Sequence, residues 1–400
     1  MRTYREVFAI REFRALFLTQ LLTMTAIAMS SLALGAITFD TTGSTVLTSL
    51  AMFGGPVVTV IGSVTIVGFS DALGPRLALM AMPAAMTGAA LVQSLPSLPW
   101  QLRFVVLAAP FLVSSAVGGS MMRMLTLIVP EGGFVLGRAT LNMAVGVMQV
   151  FGFGLGGVLL AVLAPTELFL VSAACSAIAF VVVRLGMTER PATQSGGQVM
   201  RRTHAVNRRL LGSPVTRPLY LSLWIPNGVI VGCEALFIPF AGSTGGGYLM
   251  SATAAGMLLG DIVVGRLLPP HVRERLVEPL RLLLAIPYLA FFLSPSLPLA
   301  MIIGFVASGG YSASLVIQER LVHTTDPAVK GQVFGIAGSG LMLGQALGAL
   351  LGGAIATWLP VSRTMGVLAG LSIVVTLSLT PGLRRSNPAE LATSTRAARS

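Results

Sequence analysis

The sequence predicts an all-α membrane protein in which twelve spanning helices form two pseudo-symmetric six-helix bundles. Three observations carry that expectation. Of the 400 residues, 54% are hydrophobic and only 10% are charged, where a soluble domain carries roughly 25%. Uncharged stretches of about 18 to 25 residues recur from end to end, each long enough to cross a hydrocarbon core of about 30 Å as a helix. Two long segments of the chain, finally, repeat one another.

The N-terminal MRTYREVFAIREFRALF is basic and amphipathic. The apolar run after it is too long for a signal peptide and lacks a small-residue cleavage site, so it reads as a retained first span. The twelve expected helices lie at about 14–38, 45–68, 76–95, 103–126, 138–163, 167–187, 218–241, 247–267, 279–294, 297–319, 331–358 and 364–381. Turn-formers such as TTGS, SLPSLPW, LAPTE, GSTGGG, SPSLP and WLPVS join them on one side. The other side is basic. With both termini in the cytosol, 24 of the 26 Lys+Arg fall in inner segments and only Arg103 and Arg363 in outer loops, an asymmetry that fixes the orientation. The net charge of +12 then describes a cytosolic face held against anionic membrane lipids and leaves no role for nucleic acid. Residues 188–217 form the one long polar stretch. As a flexible basic linker they divide the chain into an N-terminal bundle, 1–187, and a C-terminal bundle with a short basic tail, 218–400.

The bundles are related. LTLIVPEGGFVLGRATLNMAVGVMQVFGFGLGGVLLA at 125–161 and LVHTTDPAVKGQVFGIAGSGLMLGQALGALLGGAIA at 321–356 share an acid in a short loop, a glycine followed by Arg or Gln opening a helix, and a later Leu-Gly-Gly. GFSDALGPR at 68–76 has a weaker counterpart in GDIVVGR at 260–266, with Asp71 matched by Asp261 and Arg76 by Arg266. Parallel repeats of this kind place a binding cavity near the membrane midplane, between halves able to rock. In GFSDALGPR, Gly68 and Gly74 allow a tight reversal and Pro75 suits a helix first turn. Asp71 opposes the dipole of the helix it ends, so it needs another partner, by capping the next helix or reaching the other half.

Inside the membrane, the outstanding residue is Glu234, in WIPNGVIVGCEALFIPF. An ionised acid in mid-membrane costs on the order of 2.5 to 3.5 kcal/mol on insertion scales. It must therefore face a cavity or hold a proton, or else bond a packing neighbour such as Asn227. Gln20, Asn227, Tyr311 and Gln149 are further polar groups able to line a binding site with it. Arg123, near the cytosolic end of its span, either snorkels to the lipid surface or serves in gating. Glycines at four-residue spacing, Gly340, Gly344, Gly348 and Gly352, with Gly152, Gly156 and Gly157 in the related span, leave stripes of bare backbone that let helices approach closely.

Twelve spans in two related halves, a central linker, and GFSDALGPR between spans two and three resemble the major facilitator superfamily. TTGS after span one, PEGGFVLGRA before span five and GCEALFIPFA in span seven are similar to its drug and macrolide efflux branch. GFGLGG at 152–157 keeps the glycine spacing of that family's antiporter signature, with Phe153 in place of proline. The resemblance implies a transporter working by alternating access, with Gly68, Asp71, Gly74 and Arg76, and by repetition Asp261, Arg266 and Arg123, as a cytosolic latch. It further implies a moving interface at spans five and eleven, and a cavity bordered by spans one, four, seven and ten, which favours Gln20, Glu234 and Tyr311.

The lone lysine, Lys330, is followed by Gly331, so there is no P-loop; the three histidines are scattered, and no HExxH or GxSxG occurs. The expectation is a non-enzyme without cofactor or metal, drawing on a proton gradient. It exports small amphipathic or cationic compounds in exchange for protons, as a monomer in a bacterial cytoplasmic membrane. Proton-coupled or facilitated import of a small metabolite, and a transport-inactive sensor on the same fold, stay open.

Overall fold

The computed structural model of the chain describes residues 4–65, 74–117, 120–129, 137, 140–141, 151–190, 208–325 and 330–385. Every regular element among them is helical. Among the described residues, nine helices are long and apolar enough to cross a membrane, ten if a bent pair is counted as one span. The chain is thus a multi-pass membrane protein. It forms two compact units, Met1–Ser195 with Gly242–Ser251, and Gly196–Ala241 with Ala252–Ser400.

The first unit opens with α1 (Tyr4–Ala9) and the long α2 (Arg11–Thr42). The TTGS turn follows directly from capping chemistry. Gly43 takes the left-handed conformation, φ 64°, and its N–H bonds Phe39 O, while Ser44 caps α3 (Thr45–Phe53) by accepting from the Leu47 N–H at 3.3 Å. The second span is broken: α3 and α4 (Gly55–Thr65) meet at 61°. Gly54, Gly55 and Pro56 supply the break, and Gly55 is also where the ring of Phe111 leaves no room for a Cβ. Next come α5 (Pro75–Gln93), with Pro75 at its first position, α6 (Trp100–Val117), α7 (Ser120–Ile128), α8 (Phe151–Leu160) and α9 (Pro165–Gly186). A hydroxyl pair, Ser30 and Ser172 at 2.7 Å, joins α2 to α9, and Ser172 also donates to Ala26 O.

Two cations behave differently from simple surface charges. Arg103, assigned above to an outer loop, is 3% exposed. Its guanidinium donates to the carbonyls of Gln93, Leu95 and Leu98, so it satisfies the last carbonyl of α5 and two carbonyls of the turn after it, and closes the α5–α6 hairpin. Arg76 bonds the carbonyl of Arg184 and pairs with Glu189 at 3.6 Å, beyond the end of α9.

In the second unit the helices are interrupted more often. α10 (Thr216–Glu234) stops at Glu234, and α11 (Phe237–Ile262) resumes two residues later. Gly242, φ 73°, kinks α11 where the GSTGGG turn was expected, at the start of the stretch Gly242–Ser251 that belongs to the first unit. A π-helical stretch, Val263–Leu267, extends α11. α12 (Pro270–Ala285) tightens into a 3₁₀ segment, Ile286–Leu293, and α13 (Leu297–Ser308) into another, Gly309–Ser312, before α14 (Ala313–His323). α15 (Lys330–Ile355) and α16 (Val361–Arg385) close the unit.

Glycines set how closely these helices pack. Gly228 and Gly232 of α10 lie on Gly344, Gly348 and Gly352 of α15, backbone against backbone, and Gly340 lies under the Trp224 ring. The Trp224 indole donates to Ala337 O at 3.1 Å. A Cβ at Gly348 would meet the Gly228 carbonyl, which is why this stripe admits only glycine.

Candidate functional site

Glu234 ends α10 at the point where span seven breaks, and it is 6% exposed. Backbone bonds continue across the break through Ala235 N–H to Val231 O and Leu236 N–H to Cys233 O. Broken helices at membrane depth occur where the backbone is sheltered by protein or lines a cavity. The Tyr311 hydroxyl donates to Glu234 Oε1 at 3.3 Å, and Tyr311 sits in the 3₁₀ segment between α13 and α14. Tyr288, in the 3₁₀ end of α12, stacks on Phe237, the residue that opens α11 just past the break. Three helical irregularities therefore meet at this break, and mid-helix 3₁₀ turns often mark hinges.

The surroundings are aromatic. Phe237, just past the break, stacks on Tyr288 with centroids 6.5 Å apart. Tyr288 stacks on Phe291 at 5.5 Å, and Phe240 meets Phe291 edge-on at 5.3 Å. Ser308 lies beside Tyr288, but the geometry falls short of a hydrogen bond, so both buried hydroxyls are unpaired among the described residues. A buried carboxyl at a helix break that also carries stacked rings and unspent hydroxyls suits an apolar molecule with a cationic group.

Asn227, on the same helix, donates to the Ser314 hydroxyl at 3.1 Å. Thus Glu234, Asn227 and Tyr311 share the second unit, whereas Gln20 is buried on α2 of the first. Gly68, Asp71 and Gln149 lie outside the described residues. Arg123 is on α7, and its side chain lies outside them too. Gly74 caps α5, and a Cβ there would come within 3.1 Å of the Arg190 carbonyl. Asp261 ends α11, half-buried, and Arg266 is exposed on the π-helical stretch; no ion pair joins them among the described residues. Gly152 and Gly156 pack on α2, at Ala28 and Thr25 and at Met29 and Leu32. No group of three His, Cys, Asp or Glu able to hold a metal occurs among the described residues.

Sequence reasoning missed Tyr288, Phe237 and Phe291, which lie in apolar runs where nothing distinguishes a site aromatic from a core one. It also missed Arg281, counted above only among the inner-segment cations but 1% exposed in α12.

No family model matches the chain, and no curated protein matches it in sequence. Solved structures do. A POT family transporter in complex with 5-aminolevulinic acid superposes with a TM-score of 0.68 at 14% identity, over 94% of this chain and 97% of that one. A bacterial homologue of the human lysosomal transporter Spinster, in an inward-facing and occupied conformation, gives 0.66 at 15% identity, over 97% and 98%. A mutant of the nucleoside transporter NupG gives 0.63 at 12%, over 93% and 99%. These are transporters of the major facilitator type. The likeness runs the length of both chains and shows the twelve-helix major facilitator fold.

Proposed function

We propose that this chain is a secondary active transporter that works by alternating access and exports small amphipathic or cationic compounds in exchange for protons. The observation that carries the reading is the buried carboxyl of Glu234 at a break in a spanning helix, bonded to Tyr311 and followed at the break by the stacked rings of Phe237 and Tyr288. Such a group can hold either a proton or a cation, and antiport needs a site where the two exclude one another. The transporters of like fold support the general class. The arginine asymmetry supports a bacterial cytoplasmic membrane with both termini inside, and export is read from the efflux-like motifs at 41–44, 130–139 and 232–241. Under this reading the arginine of the 68–76 stretch is one arm of the cytosolic latch, anchored to the end of α9.

The test is proton movement in everted vesicles on adding lipophilic cations and macrolides, for the wild type and Glu234→Gln. The reading expects substrate-triggered proton release that disappears in the variant. Unchanged release would make Glu234 a packing residue. Uptake of a metabolite by right-side-out vesicles, with no response in everted ones, would reverse the direction of transport.

A further inference from the structure

Arg281 has no place in the scheme built on Glu234. Among the largest side chains that are fully buried, it is the only charged one among the described residues. None of its three guanidinium nitrogens has a hydrogen-bond partner there. It stands on the buried stripe of α12, one turn after Val277 and one turn before Leu284 and Ala285, with Tyr288 a further turn on. The described acids of the second unit are engaged elsewhere or out of reach. Arg320 holds Glu274, Arg384 holds Glu278, Arg273 holds Glu319 and Tyr311 bonds Glu234; neither Glu234 nor Asp261 forms an ion pair with Arg281. Burying an ion without a counter-charge costs several kcal/mol, more than an apolar side chain of the same volume would.

The position of this cation is specific. A Cβ on Gly310 would overlap Leu280 O and Leu284 N, so the turn of α12 that carries Arg281 rides directly on the 3₁₀ segment that carries Tyr311. Val277 belongs to the same buried cluster as Tyr220, whose hydroxyl is also unpaired. Arg281 and Tyr288 are seven residues apart on one face, roughly 10 to 12 Å along the helix; Tyr288 stacks on Phe237, three residues past Glu234, and Tyr311, next to Gly310, bonds Glu234 itself.

We infer that Arg281 receives an oxyanion, the carboxylate or phosphate of a small molecule, and forms with Glu234 a two-poled site within the second unit. An amphipathic zwitterion fits that site, its cationic end at Glu234 and its anionic end in the guanidinium fork. The inference deepens the transport reading and rests on it for calling the ligand a substrate; binding alone tests it.

The full chain is placed in nanodiscs of pure phosphatidylcholine, and calorimetry follows ω-aminooctanoate, octanoate, octylamine and octanol. Wild type is expected to bind the two carboxylates more tightly than octanol. Arg281→Gln weakens both on the order of 30-fold or more and leaves octylamine unchanged, and Arg281→Lys restores part of the loss. Without ligand, Arg281→Met unfolds at the same temperature as wild type or higher, because it removes an unpaired buried charge. Absent octanoate binding by wild type, equal binding by Arg281→Gln, or a marked loss of stability in unliganded Arg281→Met would each overturn the inference, the last by assigning the arginine a structural partner. If phosphatidylglycerol in the nanodisc abolishes octanoate binding by wild type, the site belongs to a lipid headgroup and the small-molecule assignment falls. Octanoate binding without transport in vesicles would keep the anion site and remove the transport reading.

Discussion

At the scale of single residues, what decides a role here is the partner a polar group finds inside the membrane. Arg103 shows the strongest case of complete satisfaction: one guanidinium meets the last carbonyl of α5 and two more in the turn that follows. Arg103→Ala is expected to lose about 2–4 kcal/mol and several degrees of thermal stability in detergent. Arg103→Lys recovers little, since an ammonium cannot span three carbonyls as a planar fork does. Melting temperatures of the two variants check this, and a Lys variant equal to wild type would refute the fork. Glu234 was legible in the sequence because a lone acid in an apolar run has few cheap explanations. Arg103 and Arg281 were not, because a cation near the end of a span reads as a loop charge whichever way its side chain turns. Only the fold says that one caps a hairpin and the other enters a core.

At the scale of elements, the glycines separate into those that hold a contact and those that do not. Gly348 of α15 lies against the Gly228 carbonyl, while Gly338, on the same helix, has nothing within 4 Å of where a Cβ would stand. Gly348→Ala is therefore expected to force α10 and α15 apart and cost several degrees in melting temperature, whereas Gly338→Ala is neutral or raises it slightly by stiffening the unfolded chain. Equal effects at the two positions would show that the stripe is not a packing seam. The four-residue spacing of the stripe was visible in the sequence; its partner was not, because a small face says how near a neighbour comes and not which neighbour. Helix breaks were legible unevenly for a similar reason. The kink at Gly242 and the bend at Gly54 carry glycines that announce them. At the break after Glu234 the signal is displaced: Pro239 has no N–H to offer the Ala235 carbonyl and its ring crowds it, four residues upstream of itself. The 3₁₀ segments Ile286–Leu293 and Gly309–Ser312 carry Pro287 and Gly309–Gly310, residues that intact membrane spans also carry.

At the scale of the whole molecule, each unit is tied at one end by ions that the charge count registered only as a sum. In the first, Glu12 at the start of α2 accepts from the Thr188 N–H and pairs with Arg190 at 2.7 Å. In the second, Arg320 joins Glu274 of α12 to the Leu383 carbonyl of α16, and Arg384 grips Glu278 with two bonds of 2.9 Å. The arginines thus also clasp helix ends, and the sequence expectation counts these same arginines on the inner side. That agreement yields a direct test in a chain with Cys175 and Cys233 replaced by alanine. Ser97→Cys, exposed in the turn closed by Arg103, should react with a membrane-impermeant maleimide in intact cells. Gly212→Cys, exposed before α10, should react only in everted vesicles. The reverse pattern would place the ionic clasps outside. It would then turn the proposed exporter, with its site at Glu234, into an importer without altering a single contact described for that site.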